Sequence, residues 1–389
     1  MEKIRERYLK NIISDFEIVP ICALLGPRQC GKTTLARQFA KTYQGPVHYF
    51  DLEDYTDLSR LTNPKLALDH LEGLIIIDEV QRKPELFPYL RVLADRQNTK
   101  TKFLILGSAS RDLLQQSSET LAGRLSYIAV SPFLLEEVGN QQILWNRGGF
   151  PKSFLAETDI LSARWRQIYM QTYFEKDLAY LGLNLPPQRI LKLWAMLAQY
   201  QACTINFAHM AQFMEISVPT LKNYLGLLEG TFMIRILAPW YENLGKRLVK
   251  TPKLYVRDSG IYHQLLNIQT YEQLMLNTHL GFSWEAFALE EITKSLNLRN
   301  EECYFWATHQ EAELDLFVII NGKRIGFEFK THDQPSITKS MRIATETLKL
   351  EHLYIVTPNE KSFPLENKVS VLSLKDAAKL VLFKDFFKS

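Results

Sequence analysis

The chain has 389 residues, 46% of them hydrophobic and 23% charged, and a formal net charge of +3. That length exceeds one ordinary core, so two or three domains are expected, and the composition excludes disordered and collagen-like classes. The near-balanced charge excludes a basic field over the whole chain, so any nucleic-acid surface must be local.

In chain order, the N-terminal MEKIRERYLK reads as a charged helix. The apolar run 18–25 reads as a buried strand, too short to span a bilayer, and no signal peptide or membrane segment is expected. It leads into Gly26, Pro27, Arg28, Gln29, Cys30, Gly31, Lys32 and Thr33, a complete G-x-x-x-x-G-K-[ST] phosphate-binding loop. Thr34 opens the helix expected over 34–43. Strand, glycine-bounded loop and helix N-terminus together aim backbone N–H groups and a positive dipole end at an anion. Lys32 is placed for the β- and γ-phosphates, and Thr33 for Mg²⁺ through its hydroxyl. Cys30 lies inside the loop, either as a point where thiol oxidation disturbs binding or as a tolerated small residue. The other three cysteines (Cys22, Cys203, Cys303) show no metal-type spacing, which suits a reducing, cytoplasmic setting.

Further strands are expected at 47–52, 74–78, 103–108 and 125–130, with helices at 64–71 and 84–96 between them. This alternation predicts an α/β unit with a parallel sheet covered on both faces. Asp78 at the end of the third apolar run is placed to hold the Mg²⁺ shell, as a Walker-B acid does. Glu79 beside it is a candidate to activate the attacking water, which favours ATP hydrolysis over a slow GTPase switch. No N-K-x-D guanine-reading segment is present. Ser108 is a candidate γ-phosphate sensor or a turn-forming residue after Gly107. Arg124 is a candidate arginine finger or a surface arginine with no such role.

From 136 onward the chain becomes helical and aromatic, with long amphipathic helices expected over 160–182 and 188–201. A helix at 206–214, a short turn, a helix at 217–228 and a strand at 231–237 give the order of a winged helix-turn-helix. Ser217 is the expected N-cap. Thr220, Lys222 and Asn223 are the residues this helix would offer to a DNA groove, and Lys246, Arg247, Lys250 and Lys253 on a following loop to phosphates. The C-terminal part reads as a helix at 282–298, strands at 302–307, 312–320 and 323–330, a helix at 336–350, and strands at 352–356 and 369–374 before a last helix. Asn321-Gly322 is a hairpin signal. Glu328 and Lys330 share a strand face, hairpin register brings Asp315 beside them, and Glu285 supplies a carboxylate from the preceding helix. Such oxygen ligands suit Mg²⁺ or Mn²⁺, while an E-x-K pair is equally a solvated ion-pair face.

Together these residues resemble a bacterial and archaeal family of AAA+-type P-loop ATPases with a C-terminal domain of unknown function. The resemblance covers nearly the whole chain. Its marks are the loop Gly26–Thr33, Asp78-Glu79-Val-Gln81, Gly107-Ser108, Gly123-Arg124 and Arg147-Gly-Gly-Phe-Pro151. Pro252-Lys-Leu-Tyr-Val-Arg-Asp-Ser-Gly260, Trp284-Glu285, Glu313-Leu-Asp315 and Glu328-Phe-Lys330 complete the series. The family's C-terminal domain looks like the PD-(D/E)XK nuclease fold, which implies a nuclease-like set of Glu285, Asp315, Glu328 and Lys330. Leu314 stands where that fold often has proline. The resemblance implies an ATPase domain at 1–135, a helical region with a winged helix-turn-helix at 136–275 and a nuclease-like domain at 276–389. The function expected is ATP hydrolysis with Mg²⁺, coupled to binding or cleavage of double-stranded DNA. The alternative is a nucleotide-dependent regulatory module with a degenerate nuclease-like scaffold and a protein partner. A finger acting in trans would require a homo-oligomer.

Overall fold

A computed structural model of the chain describes residues 3–96, 101–108, 121–173, 186–241, 249–308, 312–332 and 334–380. It divides into two compact units: Met1–Pro132 with Gly230–Phe232, and Phe133–Glu229 with Met233–Ser389. Among the described residues, no helix is long and apolar enough to cross a membrane.

The first unit is a five-stranded parallel sheet. Its strands are β1 (Ile21–Leu25), β2 (Val47–Asp51), β3 (Leu74–Asp78), β4 (Lys102–Gly107) and β5 (Leu125–Ala129), in the order β2-β3-β4-β1-β5. β1 and β3 are buried along their whole length, as apolar parallel strands covered on both faces must be. Ile21, Ala23, Ile75 and Ile77 pack on one face, and Cys22, Leu24, Leu74 and Ile76 on the other. Ile18 was expected to open β1 but ends the helix Glu6–Ile18, with its side chain exposed. Pro20, which has no N–H to donate, follows that helix end and starts the chain toward the sheet.

The second unit is built on a nine-stranded mixed sheet. Its strands are β6 (Cys203–Thr204), β7 (Ile234–Pro239), β8 (Lys253–Val256), β9 (Cys303–Ala307), β10 (Glu313–Ile320), β11 (Lys323–Phe329), β12 (His352–Thr357), β13 (Phe363–Glu366) and β14 (Val369–Ser373). The order is β13-β14-β12-β11-β10-β9-β7-β8-β6. Strands of the middle region thus hydrogen-bond into the sheet of the C-terminal region, β7 pairing in parallel with β9. Asn321 and Gly322 both take positive φ (51° and 78°) in the two-residue turn between Ile320 and Lys323, as the sequence led one to expect.

The helices Phe207–Met214 and Val218–Gly230 stand in the expected sequence, with Ser217 Oγ accepting the Thr220 N–H at 3.2 Å. Lys253 was expected on a loop, free to touch phosphates. It lies instead on β8, between β7 and β6, where all four residues of the strand are buried. Lys246 and Arg247 lie outside the described residues, as do 174–182 of the helix expected over 160–182.

Candidate functional site

The phosphate loop closes between the end of β1 and the helix Lys32–Thr42. Gly31 is its N-cap at φ 101°, a left-handed conformation that costs an L side chain energy and glycine nothing. Gly26 is required for a different reason. A Cβ there would lie 2.0 Å from the Val130 carbonyl oxygen, so only glycine permits the approach to the β5 edge. Arg5 braces the loop from beneath, its Nη1 donating to the carbonyls of Cys30 (3.2 Å) and Ser131 (2.9 Å). Nothing in the local spacing signals this role for Arg5. Cys30 is fully buried against the Val130 carbonyl, which shields its thiol.

Lys32 is buried, and its Nζ donates to the carbonyls of Gly26 (2.9 Å) and Pro27 (3.0 Å). Thr33 Oγ1 donates to Asp78 Oδ2 at 2.7 Å, joining the loop to the end of β3. Tyr49, from β2, donates its hydroxyl to the same oxygen at 2.7 Å. Burial and then the Asp78 carboxylate that accepts this proton raise the Tyr49 phenol, so it stays protonated.

Glu79 follows Asp78 in a left-handed conformation (φ 54°), which turns its side chain away from the strand line. Gln81 Nε2 donates to Glu79 Oε2 and, at 2.9 Å, to Ser108 Oγ. Ser108 Oγ itself lies 3.4 Å from Glu79 Oε2, so the acid, the amide and the hydroxyl form one group. Burial raises the Glu79 carboxyl above its ordinary value, against the lowering effects of Lys32, Arg28 and Gln81. Arg28 pairs with Glu53, and Arg124 pairs with Asp95 and donates to the Ala122 carbonyl at 3.1 Å. The sequence brought out Lys32, Thr33, Asp78, Glu79 and Ser108, which the fold draws together. Tyr49 and Arg5 were missed, since a lone tyrosine on a strand and an N-terminal arginine carry no motif.

The second unit gathers the C-terminal set as well. Asp315 Oδ2 accepts the Phe329 N–H at 2.9 Å, and Lys330 Nζ pairs with Glu328 Oε1 at 2.8 Å. Burial lifts the carboxyls of Glu285 to about 7 and of Glu328 to about 8, with Asp315 adding to both. The expected set lacked one member. Lys253 Nζ lies 3.3 Å from Glu285 Oε1 and 3.8 Å from Asp315 Oδ1, and pairs with Glu313. Tyr255, two residues on, donates its hydroxyl to Glu285 Oε1 at 2.8 Å. Among the described residues, no group of three or more His, Cys, Asp or Glu is arranged to hold a metal ion.

Two other sequence marks prove architectural. Asp258 Oδ1 caps the helix Ser259–Leu265 through the Ile261 N–H (2.9 Å), and its Oδ2 accepts the Gly149 N–H (2.8 Å). A Cβ on Gly148 would meet Asp258 Oδ1 at 2.2 Å, and one on Gly260 would meet the Arg147 carbonyl at 2.1 Å. The segments around 147–149 and 258–260 therefore interlock backbone to backbone. On the expected DNA-facing helix, Thr220 Oγ1 is bonded to Ser217 Oγ (2.7 Å), Lys222 Nζ sits 5.1 Å over the Phe207 ring, and Asn223 is exposed.

A glycine-bounded loop entering a helix from the first of five parallel strands, with a Thr33–Asp78 link across to the end of β3, one strand beyond β1's neighbour β4, defines a P-loop nucleotide-binding domain. An AAA domain matches residues 19–139. Residues 140–272 match a domain of unknown function, DUF8612, and residues 280–377 another, DUF4143. The uncharacterized proteins Rv2008c of Mycobacterium tuberculosis and Mb2031c of Mycobacterium bovis are each 45% identical over 352 residues, 90% of this chain and 79% of theirs. The chain belongs to the same family as these two proteins, and its AAA domain lies at residues 19–139. Among solved structures, the Walker-type ATPase PABY2304 of Pyrococcus abyssi is 16% identical, with 68% of this chain and 96% of that one covered at a TM-score of 0.47. The Holliday junction branch migration motor RuvB of Thermotoga maritima is 16% identical, with 60% and 90% covered at a TM-score of 0.30.

Proposed function

We propose that the first unit binds and hydrolyses ATP. The observation that carries this reading is the 2.7 Å bond from Thr33 to Asp78, beside the buried Lys32. A hydroxyl and a carboxylate in contact are the hard oxygen donors Mg²⁺ takes, so Thr33 and Asp78 fit that ion, whose charge would offset that of the phosphates. Tyr49 holds Asp78 Oδ2 in place. Gly31, Lys32, Thr33 and Thr34 present their N–H groups at the helix N-terminus, with Pro27, Arg28, Gln29 and Cys30 forming the curve of the loop. Lys32 exchanges the carbonyls of Gly26 and Pro27 for phosphate oxygens. Glu79 accepts a proton from the attacking water as the new P–O bond forms and the bond to the ADP oxygen breaks. Its carboxyl, raised by burial, is a better base than an exposed glutamate. Gln81 and Ser108 fix its direction, and Ser108 is the group nearest it that can sense the γ-phosphate. Arg124 serves as a finger only after exchanging Asp95, an exposed partner, for phosphate; acting in trans, it would require a homo-oligomer. The test is ATP turnover with Mg²⁺: wild type active, Lys32→Ala without tight ATP binding, Glu79→Gln binding ATP without turning it over. Equal turnover in wild type and Lys32→Ala would end this reading.

For the second unit we propose a nuclease-like PD-(D/E)XK scaffold with a winged-helix arrangement ahead of it, used for binding and not for cutting. Support comes from the order of helix Leu280–Ser295, β9, β10, β11, helix Lys339–Leu348 and β12. The residues present do not fit a divalent ion, because Lys253 already engages Glu285, Glu313 and Asp315. No cleavage step therefore follows. Under this proposal the functional boundaries near 135 and 275 are kept, and duplex DNA is the ligand of the middle region through Thr220, Lys222 and Asn223, with Lys246 and Arg247 nearby in sequence. Stimulation of ATP turnover by duplex DNA, lost in Lys222→Glu, would support it. Turnover indifferent to DNA would shift the ligand to a protein.

A further inference from the structure

The carboxylate cluster of the second unit holds four acids, Glu285, Glu313, Asp315 and Glu328, and two lysines. One lysine is conventional: Lys330 lies partly exposed at the end of β11 and pairs along its own strand with Glu328. Lys253 is different in kind. It comes from β8, a strand of the middle region, and its side chain is only 5% exposed. Its Nζ stands 3.3 Å from one carboxylate and 3.8 Å from a second, contacts a third, and lies 5.6 Å over the Phe305 ring. Burial alone would lower this ammonium, yet Glu285, Tyr255, Asp315 and Glu313 hold it well above the ordinary lysine value. A cation is therefore fixed at the convergence of three acids from two elements: one on the helix Leu280–Ser295 and two on β10.

A second observation shows that the acids outnumber the cations that face them. Glu328 is 6% exposed, and its Oε2 has no hydrogen-bond partner while Oε1 faces Lys330. An unpaired carboxylate oxygen away from water is costly unless positive charge lies nearby. With Lys253 removed, four carboxylates would face the single charge of Lys330. Hard oxygen donors in that number suit a divalent cation.

We propose that Lys253 is the cluster's built-in cation: it takes the position a divalent ion would hold, keeps the native second unit free of Mg²⁺ and Mn²⁺ there, and its removal creates a divalent-ion site. The inference rests on the geometry of the cluster and stands whether or not the first unit hydrolyses ATP. A lysine tethered to β8 cannot leave the unit, so the charge balance of this core does not depend on metal supply. Its ammonium lacks the open coordination positions that let a bound ion orient water. The acids of Glu313-Leu-Asp315 and the lysine of Pro252-Lys253 are then complementary parts of one electrostatic lock.

The test uses the full chain carrying Asp78→Asn, so that the phosphate loop's own ion does not contribute. Binding of Mn²⁺ is followed by the electron paramagnetic resonance of the free ion. With Lys253 present, no binding lost on Asp315→Asn is expected below about 1 mM. Lys253→Met, which keeps most of the side-chain volume, should bind one Mn²⁺ at least about tenfold more tightly, and adding Asp315→Asn should abolish the gain. Asp315-dependent binding with Lys253 in place would overturn the proposal, as would Lys253→Met with no gain. If Lys253→Met melts without cooperativity, Mn²⁺ should restore a cooperative transition, since the ion supplies the missing charge. Failure of Mn²⁺ to do so also overturns it.

Discussion

Gly26→Ala tests how closely the phosphate loop depends on the approach between backbones. The new Cβ would stand 2.0 Å from the Val130 carbonyl oxygen, where ordinary contact begins at 3.4 Å. More than 1 Å must therefore be opened. Neither side yields easily: the Val130 N–H is bonded to the Leu25 carbonyl at 2.6 Å, and the Gly26 N–H to that of Gly107 at 3.3 Å. Overpacking of this kind costs about 1–3 kcal/mol of stability, and a displacement of about 1 Å at a positioning element costs roughly 100-fold in rate. ATP turnover should thus fall about 100-fold in kcat/KM, with a melting temperature lower by several degrees. Gly123→Ala is the control. Its Cβ would meet nothing within 4 Å, although φ is +77°, so it carries backbone strain without a clash at the loop. Gly26→Ala retaining activity within threefold of wild type, or falling no further than Gly123→Ala, would refute the reasoning.

Other expectations follow from the same geometry. Glu79→Gln should lower turnover by about 10²–10⁴-fold while leaving ATP affinity within a few-fold of wild type, as measured by single-turnover and binding assays. In wild type the acidic limb of the rate profile should lie above the ordinary glutamate value, because burial raises Glu79; Gln81→Leu, which removes a lowering bond, should move it further up. Tyr49→Phe should raise the Mg²⁺ concentration for half-maximal turnover about tenfold, since Asp78 Oδ2 loses a bond that orients it. Glu290→Gln should destabilise the second unit by about 3–5 kcal/mol in urea melts. It removes a buried carboxylate shared by Arg235, Arg257 and Lys294, whereas Glu366→Gln, in an exposed pair with Arg342, should change little. Glu291 is lifted to about 8 by burial, well above an unfolded glutamate. The folded state then holds the extra proton, and stability falls as pH rises from the unfolded value to about 8. Glu291→Gln should flatten that fall and be the more stable chain at pH 8 by on the order of 2 kcal/mol.

The sequence made the phosphate loop legible because all its parts are local. Eight consecutive residues fix the curve, the lysine and the hydroxyl, and a β-strand period places Asp78 at the edge facing them. Burial likewise made β1, β3 and β4 readable as uninterrupted apolar runs. The Asn321-Gly322 hairpin was readable for the same reason, since two residues alone determine its turn. Contacts over long sequence separation were not readable. Arg5 reaches Ser131, Tyr49 reaches Asp78, and Gln81 reaches Ser108, each through a side chain whose type says nothing about its target.

Lys253 shows how this limit can reverse a functional reading. Seen in one dimension it stands with Lys246, Arg247 and Lys250, and a run of basic residues on a loop invites phosphate. Two local facts point the other way. Leu254, Tyr255 and Val256 continue into a strand, and Pro252 lets a strand begin after it without a donor. Residue 253 then belongs to a strand in the interior of a sheet, where a charge survives only with partners. Those partners lie 32, 60 and 62 residues away at Glu285, Glu313 and Asp315, on elements whose own spacing resembles a metal-binding nuclease set. The acids were read from strand spacing and then from a resemblance, but their counter-charge was assigned to a loop. Bringing the two together changes the chemistry of the cluster: the three carboxylates that would hold an ion already share a covalently attached ammonium. The presence of a nuclease's acids in type is therefore insufficient evidence of cleavage until the nearest buried lysine has been located.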